Sequence, residues 1–159
     1  MKKILVPTDF SIQADYSLHV AAQLAKKHDC EIYLLHMLEL PINEVDALNS
    51  RSELPEALFY LKLAKKRFEN LTDKPFLKKV KINEIVKFHQ AFDGIMDTCK
   101  SLQIDLIVMG SHGVSGFREM FIGSNTEKVV RMSDIPVLVI KNYHKTFRVK
   151  NFVYASDFS

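Results

Sequence analysis

Short runs of apolar residues alternate along the chain with longer stretches in which apolar positions recur at helical spacing. The short runs are typical of strands in a parallel sheet, and the recurring spacing is typical of helices that bury one face. The sequence therefore predicts strands and helices in alternation, whereas Leu40–Ser52 lacks a clean period and is predicted to be a loop or a frayed segment. The predicted strands are Lys3–Val6, Glu31–Leu38, Val80–Val86, Asp105–Met109 and Pro136–Ile140, and the predicted helices are Ser11–His28, Pro55–Leu71, Ala91–Leu102 and Asn125–Met132.

This alternation predicts an α/β fold, in which an open five-stranded and mainly parallel sheet carries helices on both faces. Asp105–Met109 is apolar almost without a break, as expected of a central strand, whereas lysines flank and interrupt Val80–Val86, as expected at an edge. In such sheets a ligand binds at the carboxyl ends of the strands, near the point where strand order reverses. The segments after the first, second and fourth strands are therefore the candidate site.

The composition is that of one globular domain, with 159 residues, 47% hydrophobic and 26% charged. It excludes a disordered chain, a coiled coil and a disulfide-rich miniprotein. Cys30 and Cys99 form no CxxC motif, and no run approaches the ~20 apolar residues of a membrane span. We therefore expect reduced thiols, no membrane association and a cytoplasmic location.

Positive charge is in slight excess, with 22 lysines and arginines against 19 aspartates and glutamates. The basic residues occur in dispersed pairs and triplets, such as Lys26-Lys27, Lys65-Lys66-Arg67 and Lys78-Lys79. Proteins that bind nucleic acid concentrate such residues on one face. We therefore predict that these lysines are solvated and that nucleic acid is not a partner.

Glycine is concentrated in one segment. Four of the five glycines lie from Gly110 to Gly123, directly after the strand Asp105–Met109 and before a predicted helix. Glycine lets backbone amides approach an anion closely, and a helix start offers free N–H groups to a phosphate. The spacing G-x2-G-x9-G-S, carried by Gly110, Gly113, Gly123 and Ser124, differs from the Walker and GxGxxG loops. It predicts a phosphate-binding loop, although the same glycines could serve turns and helix packing without a ligand.

The glycine spacing, the opening KILVPTDFS, the LLHM of the second strand and the block DLIVMGSHG…GSNTEKVV…SDIPVLVIK resemble the universal stress protein family, in particular its ATP-binding branch. The resemblance covers residues 2–141. It implies a Rossmann-like fold of the adenine nucleotide alpha hydrolase type. It also implies a bound ATP or another adenine nucleotide, Mg²⁺ held through the phosphates, and assembly as a homodimer. The implied role is in a stress response and not in metabolic turnover, so we predict no catalytic residue and no metal ligated by the protein.

The resemblance also assigns roles to single positions. Asp9 would accept hydrogen bonds from the ribose hydroxyls, Met37 would offer main-chain groups to the adenine, and Gly110 would lie against the ribose. The glycine loop and the start of the last helix would hold the phosphates, with hydroxyls of that helix as additional donors. The complete predicted site comprises Pro7, Thr8, Asp9, Met37, Met109, Gly110, His112, Gly113, Gly123, Ser124, Asn125 and Thr126.

Three functions stay open at this point: a nucleotide-binding regulator, an interaction module that keeps the fold without using the nucleotide, and a slow ATPase or self-phosphorylating protein. The complete glycine set together with Asp9 favours the first. Two features depart from the family pattern, since His89 stands where many members have glycine and the variable insert carries Arg118. The candidate hydroxyls for self-phosphorylation are Ser111, Ser115, Ser124 and Thr126.

The last ten residues, KNFVYASDFS, repeat residues 2–11, KKILVPTDFS, at a constant offset. Fixed-offset similarity indicates duplication. We therefore predict a domain at 1–141, a linker at 142–149 and, at 150–159, the first strand and turn of a second repeat in a tandem protein. The alternative is an extra C-terminal strand with a chance likeness. In either case Phe152-Val153-Tyr154 would dock on a sheet edge or on a neighbouring subunit, or be disordered.

Overall fold

The computed structural model describes residues 1–38, 54–88, 90–112 and 122–154, in which strands and helices alternate as predicted. Boundaries lie within a few residues of those expected, and a short 3-10 turn at Pro75–Leu77 was not predicted. The predicted loop Leu40–Ser52 lies outside the described residues. The strands are β1 (Lys3–Pro7), β2 (Glu31–Leu38), β3 (Ile82–Phe88), β4 (Leu106–Gly110) and β5 (Val137–Ile140), and the helices are α1 (Ile12–His28), α2 (Leu54–Thr72), α3 (Ala91–Leu102) and α4 (Ser124–Met132).

The five strands form one sheet in the order β3-β2-β1-β4-β5, and every pair is parallel. The predicted α/β fold class is therefore confirmed. From β1 the chain builds outward through β2 to β3, then crosses back to β4 on the other side of β1. Strand order reverses between β1 and β4, which is where an open α/β sheet leaves a crevice at its carboxyl edge.

The two faces of the sheet carry separate apolar cores. Ile4 and Val6 of β1 belong to the core that includes residues of α1 and Phe68 of α2. Leu5, on the opposite face, belongs to the core that includes residues of α3 and Val129 of α4. The three β1 residues are fully buried, which explains why the first strand is apolar at consecutive positions.

The amino end of β1 is held by Asp105, which precedes β4. One oxygen of this carboxylate accepts the backbone N–H groups of Lys2 and Lys3, at 2.6 and 2.9 Å. These two hydrogen bonds lower the pKa of the Asp105 carboxyl. The start of the first strand is thus joined to a residue about a hundred positions later, before the sheet pairing of Ile4 with Leu106 begins.

At the other end of β4, helix α1 approaches the strand closely at Gly110. A Cβ added to Gly110 would lie 2.9 Å from the carbonyl carbon of Gln13 and 3.0 Å from its oxygen and Cβ. A real Cβ essentially never lies 2.9 Å from a backbone carbon, so a side chain at position 110 would displace the first turn of α1. The packing of α1 on β4 is sufficient to explain this glycine, whether or not a ligand lies beside it.

After β5 the chain crosses over α1. Gln23 holds this segment, because its side-chain oxygen accepts the N–H of Phe147 at 2.7 Å and its amide nitrogen donates to the carbonyl of His144 at 3.1 Å. Beyond it, Phe152 and Val153 are 82% and 88% exposed and belong to no strand. Residues 152–154 therefore do not pair with the chain's own sheet, so docking on a neighbouring subunit stays a prediction, and residues 155–159 lie outside the described part.

We predict that Gly110→Ala destabilises the protein, because the new methyl group forces α1 away from the end of β4. Overpacking of this kind costs about 1–3 kcal/mol in free energy of unfolding. Denaturant-induced unfolding followed by circular dichroism measures the difference. An unchanged midpoint at an unchanged slope would show that α1 does not press on β4 as described.

Candidate functional site

A cavity of about 490 Å³ opens at the carboxyl ends of the strands, beside the point where strand order reverses. All residues of the predicted site line it except Gly113. Gly113, together with the rest of 113–121 and with His89, lies outside the described residues. The topology thus brings together residues from positions 7 to 126. That they bind a nucleotide stays a prediction.

Four further residues of the wall were not predicted, namely Ala14, Leu35, Ala91 and Ile95. Ala14 lies in the first turn of α1, and Ala91 and Ile95 lie in the first turns of α3, so the segment after β3 contributes to the cavity along with the three that were expected. Small apolar residues at helix starts serve a core and a cavity wall equally well. Only the position of these helix starts at the carboxyl edge could have indicated them.

The turn from β1 to α1 is built around Phe10. This residue has a left-handed backbone (φ 62°), which is costly for a bulky side chain and persists only where the surroundings hold it. Its ring lies 5.2 Å from the ring of Phe68 and 4.5 Å from that of His36, and the guanidinium of Arg67 lies 5.5 Å above it. Phe10 therefore anchors the turn in the core, while Thr8 and Asp9 line the cavity.

Thr8 and Asp9 both take part in holding this turn. Thr8 donates its N–H to the carbonyl of Leu35, at 2.8 Å, and its hydroxyl oxygen accepts the N–H of Phe10, at 3.0 Å. Asp9 accepts the N–H of Ser11 on one carboxylate oxygen, at 3.0 Å. The polar groups of the turn are thus positioned before any ligand arrives.

His36, on β2, packs against Phe10 and hydrogen-bonds to the backbone of this turn. It is buried, and its Nδ1 lies 2.8 Å from the carbonyl oxygen of Thr8, which requires the proton on Nδ1. Burial lowers the pKa of His36, and the nearby Arg67 acts in the same direction, while the Thr8 carbonyl and Asp9 partly oppose them. The neutral imidazole is therefore the form that the fold favours.

The opposite wall is formed by the end of β4 and the start of α4. The Gly123 N–H donates to the carbonyl of Ser111 at 2.8 Å, and the Ser111 N–H donates to the carbonyl of Ile140 at 3.0 Å. These bonds fix where α4 begins. In the described part of the chain no side chain caps the N-terminus of α4, so its first N–H groups are available to an anion.

His112 and Thr126 complete this wall, and Thr126 corrects one expectation. The Thr126 hydroxyl is buried and donates to the carbonyl of Gly110 at 2.9 Å, so its proton is not available to a phosphate. His112 Nδ1 lies 2.9 Å from the Ser111 hydroxyl. Its other nitrogen, Nε2, is buried and has no hydrogen-bond partner among the described residues. A buried polar atom of that kind is costly unless a ligand or water satisfies it.

The same contacts narrow the hydroxyls that were considered for self-phosphorylation. Ser111 and Thr126 are buried and hydrogen-bonded, whereas Ser124 is exposed. Ser115 lies outside the described residues.

Within the described ranges, no three His, Cys, Asp or Glu side chains are grouped so that they could hold a metal ion. In those ranges there is also no helix with the length and apolarity that a membrane crossing requires.

A sequence profile of the Universal stress protein family matches residues 1–141. Universal stress protein MJ0577 of Methanocaldococcus jannaschii is 35% identical over 154 residues, an alignment that covers 88% of this chain and 94% of that protein. Its solved structure superposes with a TM-score of 0.74 at 31% identity, covering 91% of this chain and 98% of the other.

Two more distant structures share the fold with nucleotides bound to them. One is a universal stress protein in complex with cAMP, at 17% identity and a TM-score of 0.62, covering 88% of this chain and 96% of the other. The second is the universal stress protein of Archaeoglobus fulgidus in complex with dAMP, at 19% identity and a TM-score of 0.62, covering 89% and 98%. At these identities the likeness establishes the fold, and the nucleotides are properties of those proteins.

We predict that stability falls on acidification through His36. Because its pKa is lowered from 6.5 in the folded protein, the unfolded chain binds more protons as pH falls below about 7. The free energy of unfolding therefore decreases from neutral pH downward and levels off below the folded pKa. His36→Asn keeps an N–H in place of Nδ1 but does not titrate, so its stability should depend less on pH. Urea unfolding of both proteins from pH 7.5 to pH 5 provides the comparison, and parallel curves would contradict the role of His36.

Proposed function

Because the chain belongs to the universal stress protein family, we propose that the cavity at the ends of β1 and β4 binds an adenine nucleotide, with ATP as the preferred ligand, and that the protein acts as a nucleotide-dependent regulator in a stress response. The observation that carries this proposal is the convergence of two polar walls on one cavity. One wall presents a carboxylate. Among the described residues, the other wall presents a helix start that no side chain caps and a buried imidazole nitrogen without a hydrogen-bond partner.

The size of the cavity suits such a ligand. Small-molecule sites commonly enclose ~300–1,000 Å³, with mostly apolar walls and a few placed polar groups. Here the apolar part consists of residues such as Leu35, Met37, Ile95 and Met109. We infer that the adenine lies among these residues and close to Pro7 and Thr8.

The phosphates would lie toward α4. The N–H groups at its start carry the positive end of the helix dipole, and Gly123 and Ser124 line the cavity there. His112 Nε2 would then donate to a phosphate oxygen. This hydrogen bond would satisfy the one buried side-chain nitrogen or oxygen that has no hydrogen-bond partner in the described residues. Its Nδ1 would accept from the Ser111 hydroxyl. Gly113 would belong to the same phosphate-binding loop.

The ribose would lie between the two walls, against Gly110, with its hydroxyls donating to Asp9. One Asp9 oxygen already accepts the Ser11 N–H, and a carboxylate oxygen has capacity for a further hydrogen bond. Mg²⁺, when present, would be held through the phosphates. Among the described residues that line the cavity, Asp9 is the only carboxylate and no lysine or arginine is present. The proposed role is therefore binding, with at most slow hydrolysis or self-phosphorylation at an exposed hydroxyl such as Ser124.

The first test is a thermal-unfolding titration with ATP, ADP, AMP and GTP, each with and without Mg²⁺, after co-purified nucleotide has been extracted. A ligand at a hundred times its Kd adds ~2.7 kcal/mol to the stability. For a domain of this size that raises the Tm by roughly 5–10 °C. We expect a rise with ATP and little with GTP. No rise with any adenine nucleotide would overturn the proposal and favour an interaction module that does not use the nucleotide.

Two variants test the proposed ribose contact and the proposed phosphate contact separately. Asp9→Ala should weaken adenosine and ATP alike, by about tenfold, because a charge-assisted hydrogen bond to the ribose is lost from both. His112→Ala should weaken ATP by a few-fold and leave adenosine unchanged, because adenosine has no phosphate. Isothermal titration calorimetry measures both ligands. Asp9→Asn is the matched control, since it keeps the oxygen that accepts the Ser11 N–H, so that a loss common to Asn and Ala reports the ribose and not the turn. An Asp9 effect confined to ATP would place this residue at the phosphates.

We further propose that the domain pairs with a second copy of itself, either as a homodimer or with the repeat that begins at residue 150. The supporting observation is the apolar segment Phe152-Val153-Tyr154, which resembles β1 in sequence and is exposed over most of its surface. Light scattering after gel filtration should give a dimer mass for the chain and a monomer mass for the double variant Phe152→Ser/Val153→Ser. A monomer mass for both would exclude this contact between separate chains.

A cytoplasmic location is part of the same proposal. Cys30 and Cys99 are both buried and unpaired, and burial raises the pKa of the Cys99 thiol to about 11. Thiols of this kind are inert core residues, which suits a reducing compartment.

A further inference from the structure

A second cavity, of about 630 Å³, lies at the amino ends of β1, β2 and β3. It is at the edge of the sheet opposite the cavity for which a nucleotide is proposed above, which is called the nucleotide cavity below. The second cavity is lined by Asp29, Glu31 and six lysines, and it is named the lysine cleft here after them. The lysines are Lys2, Lys3, Lys26, Lys78, Lys79 and Lys81. None of the predicted site residues lies in it.

The lysine cleft holds the whole positive excess of the protein. Its lining carries six lysines and two acids, a formal charge of 6 − 2 = +4. The complete chain carries 22 − 19 = +3. All other residues together therefore sum to −1. Pairs of lysines that are dispersed along the sequence converge because the starts of parallel strands and the ends of the preceding helices meet at one edge of the sheet.

Four of these six ammonium groups have no partner among the described residues. Lys81 pairs with Glu31 at 2.7 Å, and Lys3 donates to the carbonyl of Leu102 at 2.8 Å. Among the described residues, the side chains of the other four lysines make no hydrogen bond and no ion pair. Lys26 lies in the last turn of α1, where a cation is favourable, but Lys2 and Lys79 lie on no helix. Lys2, Lys26, Lys78 and Lys79 therefore line one cavity without an ion pair among the described residues, and a bound anion would supply the missing counter-charge.

The lining also indicates what kind of anion fits. Lysine offers a compact charge that binds phosphate without a fixed orientation, whereas the arginines and aromatic rings on which bases stack are absent from the described lining. The volume is that of a small-molecule site and not that of an extended groove. We propose that the lysine cleft binds a compact anion with several phosphate groups, at a site separate from the nucleotide cavity.

The test uses inorganic tripolyphosphate as the probe, in calorimetric titrations of the complete chain at low ionic strength, where screening is weak. The double variant Lys78→Gln/Lys79→Gln should bind the probe about tenfold more weakly than the unchanged protein. The matched control Lys65→Gln/Lys66→Gln removes the same charge from two exposed lysines of α2 and should change the affinity less than about twofold. Backbone amide shifts in NMR spectra should move at residues 26–31 and 78–81.

The outcomes separate this site from the nucleotide cavity. His112→Ala should leave the tripolyphosphate affinity unchanged, and Lys78→Gln/Lys79→Gln should leave the thermal response to ATP unchanged. No binding of the probe, or equal losses in the two double variants, would overturn the proposal. A loss in His112→Ala alone would place the probe in the nucleotide cavity and also overturn it. Binding of a single-stranded oligonucleotide that depends on Lys78 and Lys79, without binding of tripolyphosphate, would replace it with a nucleic-acid backbone site.

Discussion

Strand β1 is buried on both faces and paired on both edges, and the rest of the architecture depends on that position. Its side chains Ile4, Leu5 and Val6 belong to the two cores on either side of the sheet. Its backbone pairs with β2 on one side and with β4 on the other. Because β1 is central, the chain first builds the sheet on one side of it, through β2 and β3, and then crosses back to build the other side, through β4 and β5. The crevice at the end of β1 is the geometric result.

The candidate site is continuous with this core. Phe10 and His36 join the β1–α1 turn to the aromatic cluster around Phe68, and Gly110 lets the first turn of α1 lie directly on β4. The cavity walls are therefore the ends of packed elements, with their polar groups already oriented by hydrogen bonds within the protein. A ligand that bound there would find positions set by packing, which keeps the cost of ordering the site low.

The sequence was sufficient to predict the fold because the apolar runs, the helical spacing and the positions of the charged residues all indicate the same architecture. The unbroken apolar run before Gly110 predicted a central strand, the lysines around Val80–Val86 predicted an edge strand, and β4 and β3 occupy those places. The glycine spacing indicated Gly110, Gly123 and Ser124, and the family resemblance added Asp9 and Met37. These five residues line the cavity at the carboxyl edge, whereas Gly113 lies outside the described residues. A local pattern is enough for such positions because the residues that form the turn after a strand follow that strand directly in the sequence.

What the sequence did not indicate depends on contacts between distant segments. The sequence alone predicts a free donor at the Thr126 hydroxyl, whereas in the structure this hydroxyl donates to the carbonyl of Gly110. Ala14 and Ala91 carry no chemical signal, and their place in the cavity wall follows only from where two helices begin. The lysine cleft was missed for the same reason. Charge that is dispersed in sequence was interpreted as dispersed in space, whereas the topology gathers Lys2, Lys26 and Lys78 at one edge.

The pairing of β1 with β4 also dictates an order of events during synthesis. Strands β1, β2 and β3 can associate soon after they leave the ribosome, but the partner for the other edge of β1 begins at Leu106 and the Asp105 contact spans more than a hundred residues. Until that segment emerges, strand β1, whose Ile4, Leu5 and Val6 are fully buried in the folded protein, has one open edge, and open strand edges can pair with other chains. The N-terminal half of this protein therefore carries an unpaired strand edge until β4 is synthesised, and the pairing of β4 with β1 ends this exposure.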